Sequence, residues 1–351
     1  MFLVFVMAAA IWWIGGRMGA PVQARATMLG LLYVIVLAIQ VALPEGNGLR
    51  AATGGSAALW LIFGGFVALV LAYREGLRRV RSRAGHQEAA AAPVAPAGGS
   101  FSTSELDRYA RHIVLRELGG AGQKRLRDAK VLVIGAGGLG APALLYLGAA
   151  GVGTIGVIDD DTVENANLQR QVIHRDADIG LPKVFSAQAA IAAQNPHVTV
   201  RPYQRRLTEE VAADLFADYD LILDGSDNFG TRYLANRVAV AQGKPLISGA
   251  LSQWEGQLSV FEPARGTPCY QCIFPEAPAP GLAPSCAEAG VLGPLPGVVG
   301  AMMAVEAVKV ITDAGAPLLG QMLIYDALWG ETRKIGLKRR SDCPVCGERR
   351  S

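Results

Sequence analysis

A chain of 351 residues has room for about two domains. Its 51% apolar content and mean hydropathy of +0.28 exclude an ordinary soluble enzyme. The net charge of +3 favours no particular class of partner.

The apolar excess sits at the front. Met1 to Gly16, Ala26 to Pro44 and Ala51 to Tyr73 carry no charged residue, and each is about the ~17–25 residues that cross a hydrocarbon layer. A secretory signal would open on basic residues and close on a small-residue cleavage site. MFLVFVMAAAIWWIGG has no charge and further apolar runs follow it, so three spans are expected rather than a signal plus two. Arg17 and Arg25 lie between the first two runs, and Arg74, Arg78, Arg79, Arg81 and Arg83 follow the third. Arginine excess marks the cytoplasmic side, so the expected location is multi-pass in the inner (plasma) membrane, with the rest of the chain in the cytoplasm. REGLRRVRSR then reads as a topological flank at the headgroups, and no nucleic-acid partner is expected. Ala84 to Ser100, rich in Ala, Pro and Gly, reads as a tether. The expected division is a membrane region 1–73, a flank and linker 74–100, and a nucleotide-binding domain 101–351.

KVLVIGAGGLGAPALLYLGAAGVGTIGVIDDD, residues 130–161, predicts strand, glycine turn, helix and strand. Val131 to Ile134 is a β-branched apolar run, and Gly135, Gly137, Gly138 and Gly140 open a helix running through Ala150. Glycine lets the chain reverse sharply and lets phosphate oxygens reach backbone N–H groups at a positive helix N-terminus. A second strand, Thr154 to Ile158, leads into the acidic run Asp159 to Asp161, with Asp159 placed to accept from ribose hydroxyls. To this point a nicotinamide enzyme fits equally well. Further helices are predicted over 183–194, 209–216, 228–242 and 300–311. Strands are predicted at 198–201, 221–223, 245–248, the QLSVFEP stretch and the QMLIYDA stretch. Alternating strands and helices imply a doubly wound, Rossmann-like, mostly parallel α/β sheet.

Four of the five cysteines form two CxxC knuckles, Cys269 with Cys272 and Cys343 with Cys346. In a cytoplasmic domain this pattern points to a tetrahedral Zn²⁺ site, structural because four thiolates leave no open position. The alternative, a redox pair, predicts a single CxxC at a helix start. Asn167, Arg170 and Lys183 follow the ribose-type carboxylate at a spacing that can surround a polyphosphate. LDGSDNFGTR then supplies Asp224, Asp227, Asn228 and Arg232 at a strand end, where Asp227 can serve Mg²⁺, a helix N-cap, or both. His86, His112, His174 and His197 form no recognisable catalytic dyad, and His174 reads as a structural hydrogen-bonder.

From about Ser102 to Gly347 the chain resembles the MoeB/ThiF/HesA adenylyltransferases, relatives of ubiquitin-activating enzymes. The resemblance rests on RYARHIVL, GAGGLG, NLQRQVIH, GLPK, DGSDNFGTR, EGQLSVF, CYQC, SCAEAGVLG and CPVCG, in that order. It implies ATP with Mg²⁺, and a partner that is a ubiquitin-like sulfur-carrier protein ending in Gly-Gly, adenylated on its C-terminal carboxylate with release of pyrophosphate. It places Asp159 on the ribose, Asn167, Arg170 and Lys183 around the phosphates, and Asp227 at the metal. Arg111 of RYARH is expected to reach the partner subunit's site in a homodimer. Cys286 stands where some relatives link covalently to the carrier, although an inert thiol is the favoured reading. Molybdopterin synthesis, thiamine synthesis or another sulfur route would supply the carrier. Residues 1–100 are an addition to the family pattern, and sulfur is expected from elsewhere because no rhodanese domain follows Cys346. The competing readings are a membrane-bound, non-catalytic binder of a ubiquitin-like protein and a nicotinamide-dependent oxidoreductase, which would leave Arg170, Lys183 and Asp227 unexplained.

Overall fold

The computed structural model describes residues 2–90, 100–278 and 289–347. The chain divides into two compact units, 1–93 and 94–351.

The first unit is helical: α1 (Phe2–Arg17), α2 (Val22–Ala42), the short α3 (Gly48–Ala52) and α4 (Ala57–Ala90). Among the described residues its buried apolar side chains are few, Val4, Val36 and Trp60, with Leu32, Tyr33 and Leu37 packed beside them. Tyr33 Oη donates to the Trp60 carbonyl at 2.8 Å, tying α2 to α4. Most of the remaining apolar surface faces outward, including Leu31, Val34, Ile35, Ile62 and Phe66. Gln23–Ala42 and Ala57–Arg74 are long and apolar enough to cross a membrane, by length and composition, while Leu3–Arg17 is shorter. Helix α4 runs on through Ala90, so residues 84–90, expected as tether, are helical. Ala84, Gln87, Glu88, Ala89 and Ala90 are good helix formers, and their propensity outweighs the absence of an apolar face.

The second unit opens with α5 (Thr103–Ile113) and α6 (Gly119–Asp128), followed by β1 (Lys130–Ile134), α7 (Gly140–Ala150) and β2 (Thr154–Ile158). Next come α8 (Lys183–Gln194), β3 (Thr199–Tyr203), α9 (Glu209–Ala217), β4 (Leu221–Asp224), α10 (Phe229–Ala241), β5 (Leu246–Leu251) and β6 (Glu255–Phe261). The one-turn α11 (Tyr270–Ile273), α12 (Pro294–Thr312), β7 (Gln321–Asp326) and β8 (Glu331–Gly336) complete it. The strands form one eight-stranded sheet in the order β3-β2-β1-β4-β5-β6-β7-β8. The first five run parallel, and β6, β7 and β8 extend the sheet antiparallel, with α11 and α12 between β6 and β7.

Strand β1 is buried on both faces, which is why it reads as an unbroken apolar run. Val131 and Val133 enter one core with residues of α7, α8 and α12, among them Leu144, Leu147, Ile191, Val299 and Met303. Leu132 and Ile134 enter the other, beside Phe216, Tyr219, Leu234 and Phe261. Helix α12 matches the N-terminal helices in length and hydropathy, but half of it is buried, and its Leu295, Val299 and Met303 belong to the sheet's core. It begins at Pro294, one turn or more before the expected Gly300, because proline at the first helical positions forfeits no hydrogen bond.

β1 hydrogen-bonds to β2 on one side and β4 on the other, so the chain reverses its direction of winding between β1 and β4. The carboxyl ends of these two strands diverge there, and this is where a doubly wound sheet offers a crevice.

Candidate functional site

At that crevice lies a cleft of about 840 Å³, lined by Gly135, Gly137 and Gly138, by Asp159 and Asp161, and by Arg170, Lys183, Asp227 and Asn228. The glycine turn is specified by backbone demands. Gly135 takes φ +90°, the left-handed region. At Gly140 a Cβ would lie 1.8 Å from the Gly135 carbonyl oxygen, so only glycine lets the helix start this close to the loop.

The Ala136 N–H donates to Asp159 Oδ2 at 2.7 Å, and the Asp161 N–H to Asp159 Oδ1 at 2.8 Å. Each carboxylate oxygen keeps an unused lone pair, enough to accept from two ribose hydroxyls. Burial raises the Asp159 pKa, opposed by the nearby Lys183 ammonium. Lys183 begins α8 with only 4% of its surface exposed, and its Nζ donates to Asp161 Oδ2 at 2.6 Å. Asp161 thus reaches the cleft as the counter-ion of Lys183. Two ammonium protons remain for a ligand.

Arg170 lines the cleft, and Asn167 does so only through it: Arg170 Nη2 donates to Asn167 Oδ1 at 3.3 Å. Asn228 is the N-cap of α10, accepting from the Thr231 N–H at 2.9 Å. Asp227 is therefore not the cap. Its exposed carboxylate faces the cleft with no hydrogen-bond or ion-pair partner among the described residues, as a cation ligand requires. Behind it, buried Asp224 accepts from the Ser226 N–H at 3.0 Å and from Ser226 Oγ at 2.6 Å. Arg232 lies 3.8 Å from Asp224 and donates to the Gly249 carbonyl at 2.8 Å. These two hold the loop that presents Asp227.

Arg111 is exposed on α5 and does not line the cleft. Cys286 falls outside the described residues. Sequence reasoning missed Arg205, Arg206 and Gln171, all of which line the cleft. Gln171 is 4% exposed, and its Oε1 is buried without a partner. Its signal was the NLQRQ motif itself; the two arginines follow β3, a third strand end converging on the crevice.

The four knuckle cysteines converge and are all buried. Their sulfurs lie 3.9 Å apart for Cys269–Cys272, 3.6 Å for Cys269–Cys343 and 3.3 Å for Cys272–Cys346. Zn–S bonds of about 2.3 Å in a tetrahedron put the sulfurs about 3.8 Å apart, so the set fits zinc. The Arg340 N–H points at Cys272 Sγ, 3.4 Å away, as N–H groups do at thiolates. Burial pushes the Cys269 and Cys272 thiols up. Burial opposes ionisation of Cys343 too, but the backbone N–H groups of Cys346 and Val345 draw it down to about 7. The four sulfurs can hold a zinc ion that joins α11 to the segment after β8.

The sequence model of the ThiF family matches residues 109–345. The sulfur carrier protein adenylyltransferase of Thermus thermophilus is 51% identical over 252 residues, 71% of this chain and 93% of that protein. The SAMP-activating enzyme E1 of Haloferax volcanii is 49% identical over 249 residues, 71% of this chain and 92% of that protein. Among solved structures, E. coli MccB with AMPCPP and MccA is similar in fold, with a TM-score of 0.62 at 22% identity, covering 71% of this chain and 76% of that one.

Proposed function

Because this chain belongs to the ThiF family and is an adenylyltransferase, we propose that it uses ATP to activate the C-terminal glycine carboxylate of a ubiquitin-like sulfur-carrier protein. The products are pyrophosphate and an acyl-adenylate open to a sulfur nucleophile. The observation that carries this reading is the convergence of Asp159, Arg170, Lys183 and Asp227 on one glycine-loop cleft. The names of the Thermus and Haloferax relatives support the choice of carrier.

The chemistry asks little of an acid or base. A C-terminal carboxylate with pKa about 3.3–3.7 is already ionised at neutral pH, and no histidine is among the described residues lining the cleft. The protein's task is alignment and charge neutralisation. Asp159 accepts from the ribose, while the glycine-loop N–H groups, Arg170 and Lys183 donate to the phosphates. Lys183 exchanges Asp161 for a phosphate oxygen without leaving its buried position. Mg²⁺ on Asp227 would neutralise phosphate charge. Arg111, exposed on α5, is assigned to the neighbouring subunit's site in a homodimer. Helices α1, α2 and α4 anchor the chain in the inner membrane, with the catalytic unit in the cytoplasm where ATP is made available. The carrier belongs to molybdopterin, thiamine or another sulfur route.

The test is incorporation of labelled pyrophosphate into ATP by the full chain with Mg²⁺ and a purified sulfur-carrier protein ending in Gly-Gly. Exchange that needs the carrier and is lost in Asp227→Ala is expected. Failure to exchange with any such carrier overturns the reading.

A further inference from the structure

His174 sits where three site-bearing segments meet. Its Nε2 lies 2.9 Å from the Ala136 carbonyl oxygen in the glycine loop, and its Nδ1 lies 2.8 Å from Ser186 Oγ. Ser186 is three residues after Lys183, on the first turn of α8, and its Oγ also lies 2.8 Å from Asp178 Oδ2, so its single proton serves either that carboxylate or Nδ1. His174 itself ends the segment carrying Asn167 and Arg170, where its backbone N–H donates to the Gln171 carbonyl at 3.1 Å. Ala136, His174 and Ser186 are 0%, 6% and 1% exposed.

The Ala136 peptide is therefore held on both edges, its N–H by Asp159 and its carbonyl by His174. A carbonyl only accepts, so Nε2 carries the proton of that bond. The charged groups around the ring are the Lys183 ammonium and the carboxylates of Asp159 and Asp178. None of these contacts involves the ligand directly, yet together they set the distance from the phosphate-facing loop to the Lys183 ammonium.

Building on the adenylation reading, we infer that His174 is a positioning residue: it fixes the glycine loop, Arg170 and Lys183 relative to one another so that all three meet the same triphosphate. A displacement of about 1 Å between such groups costs up to about 100-fold in rate. The side chain belongs to the machinery without touching the reacting atoms.

The experiment is carrier-dependent ATP–pyrophosphate exchange by the full chain in nanodiscs, with melting temperature measured in parallel. His174→Ala lowers exchange about 10- to 100-fold. His174→Gln, whose amide N–H reaches the Ala136 carbonyl, restores most of it, whereas His174→Asn, whose shorter amide reaches only Ser186, does not. Combined with Lys183→Ala, His174→Ala adds far less than its separate penalty, because both disrupt the same alignment. Hydrogen–deuterium exchange over residues 135–140, without nucleotide, speeds up in His174→Ala. Should His174→Ala fail to fold, His174→Asn and Ser186→Ala carry the comparison. A folded His174→Ala within twofold of wild type overturns the inference, as do penalties that multiply with those of Lys183→Ala or unchanged loop protection. Absence of exchange in the wild type would instead overturn the adenylation reading, and the loop-protection measurement would still test His174.

Discussion

Removing the Asp224 carboxylate should expose what holds the Asp227 loop. The Asp224 and Arg232 side chains are 1% and 7% exposed and lie 3.8 Å apart. In Asp224→Ala a buried guanidinium loses its counter-charge, a change that costs about 3–5 kcal/mol. Arg232 keeps neutral acceptors, the Gly249 carbonyl at 2.8 Å and Ser248 Oγ at 3.3 Å, which places the cost near the lower bound. For a unit of this size about 3 kcal/mol lowers the melting temperature by about 6–12 °C. The assay is calorimetry of the detergent-solubilised chain, following the transition of the second unit. Asp224→Ala combined with Arg232→Met removes both charges and should recover at least about half the loss, since an apolar pair avoids the desolvation of an unpaired ion. A single variant within about 1 kcal/mol of wild type, or a double variant no better than the single, would refute the argument.

Four further outcomes follow from the structure. Elemental analysis should find one zinc per chain, and Cys269→Ser should lose it together with several degrees of thermal stability, whereas zinc-free wild type of full stability would contradict the four-sulfur site. Gly140→Ala, whose Cβ would lie 1.8 Å from a backbone oxygen, should weaken ATP binding by about 100-fold in calorimetric titration. Gly137→Ala, with its nearest atom at 3.7 Å, should leave stability within about 0.5 kcal/mol. Burial lowers the His174 pKa, so its protonated form is disfavoured in the folded state. The resulting stabilisation is present above the unperturbed value of about 6.5 and fades as pH falls through the lower folded value. Wild type should therefore lose more melting temperature than His174→Gln between pH 8 and pH 5, and parallel profiles would refute this.

Much of the central sheet could be read from the residues. Thr154–Ile158 and Lys183–Gln194 match the expected bounds because a buried parallel strand is an apolar run, and because Asn195–Pro196 ends the helix. β8 escaped notice because all six of its residues are exposed and most are polar; its pairing with β7 alone makes it a strand. The antiparallel run of β5 to β8 also makes the sheet less parallel than expected: the β5–β6 and β7–β8 hairpins have no crossover helix, and β7 returns beside β6 only after α11 and α12. Within the cleft, residue types indicated Asp159, Arg170, Lys183 and Asp227. They could not indicate that Asn167 acts on Arg170, that Asp161 neutralises Lys183, or that Asn228 rather than Asp227 caps α10, because those assignments depend on tenths of a nanometre.

The cysteine cluster joins knuckles 74 residues apart in the chain. On a translating ribosome at ~5–20 residues per second, Cys269 and Cys272 wait about 4–15 s for their counterparts to emerge. Through that interval two neighbouring thiols stand ready to oxidise with each other, so a reducing compartment favours correct synthesis. Expression under oxidising stress should accumulate chains whose tails never dock.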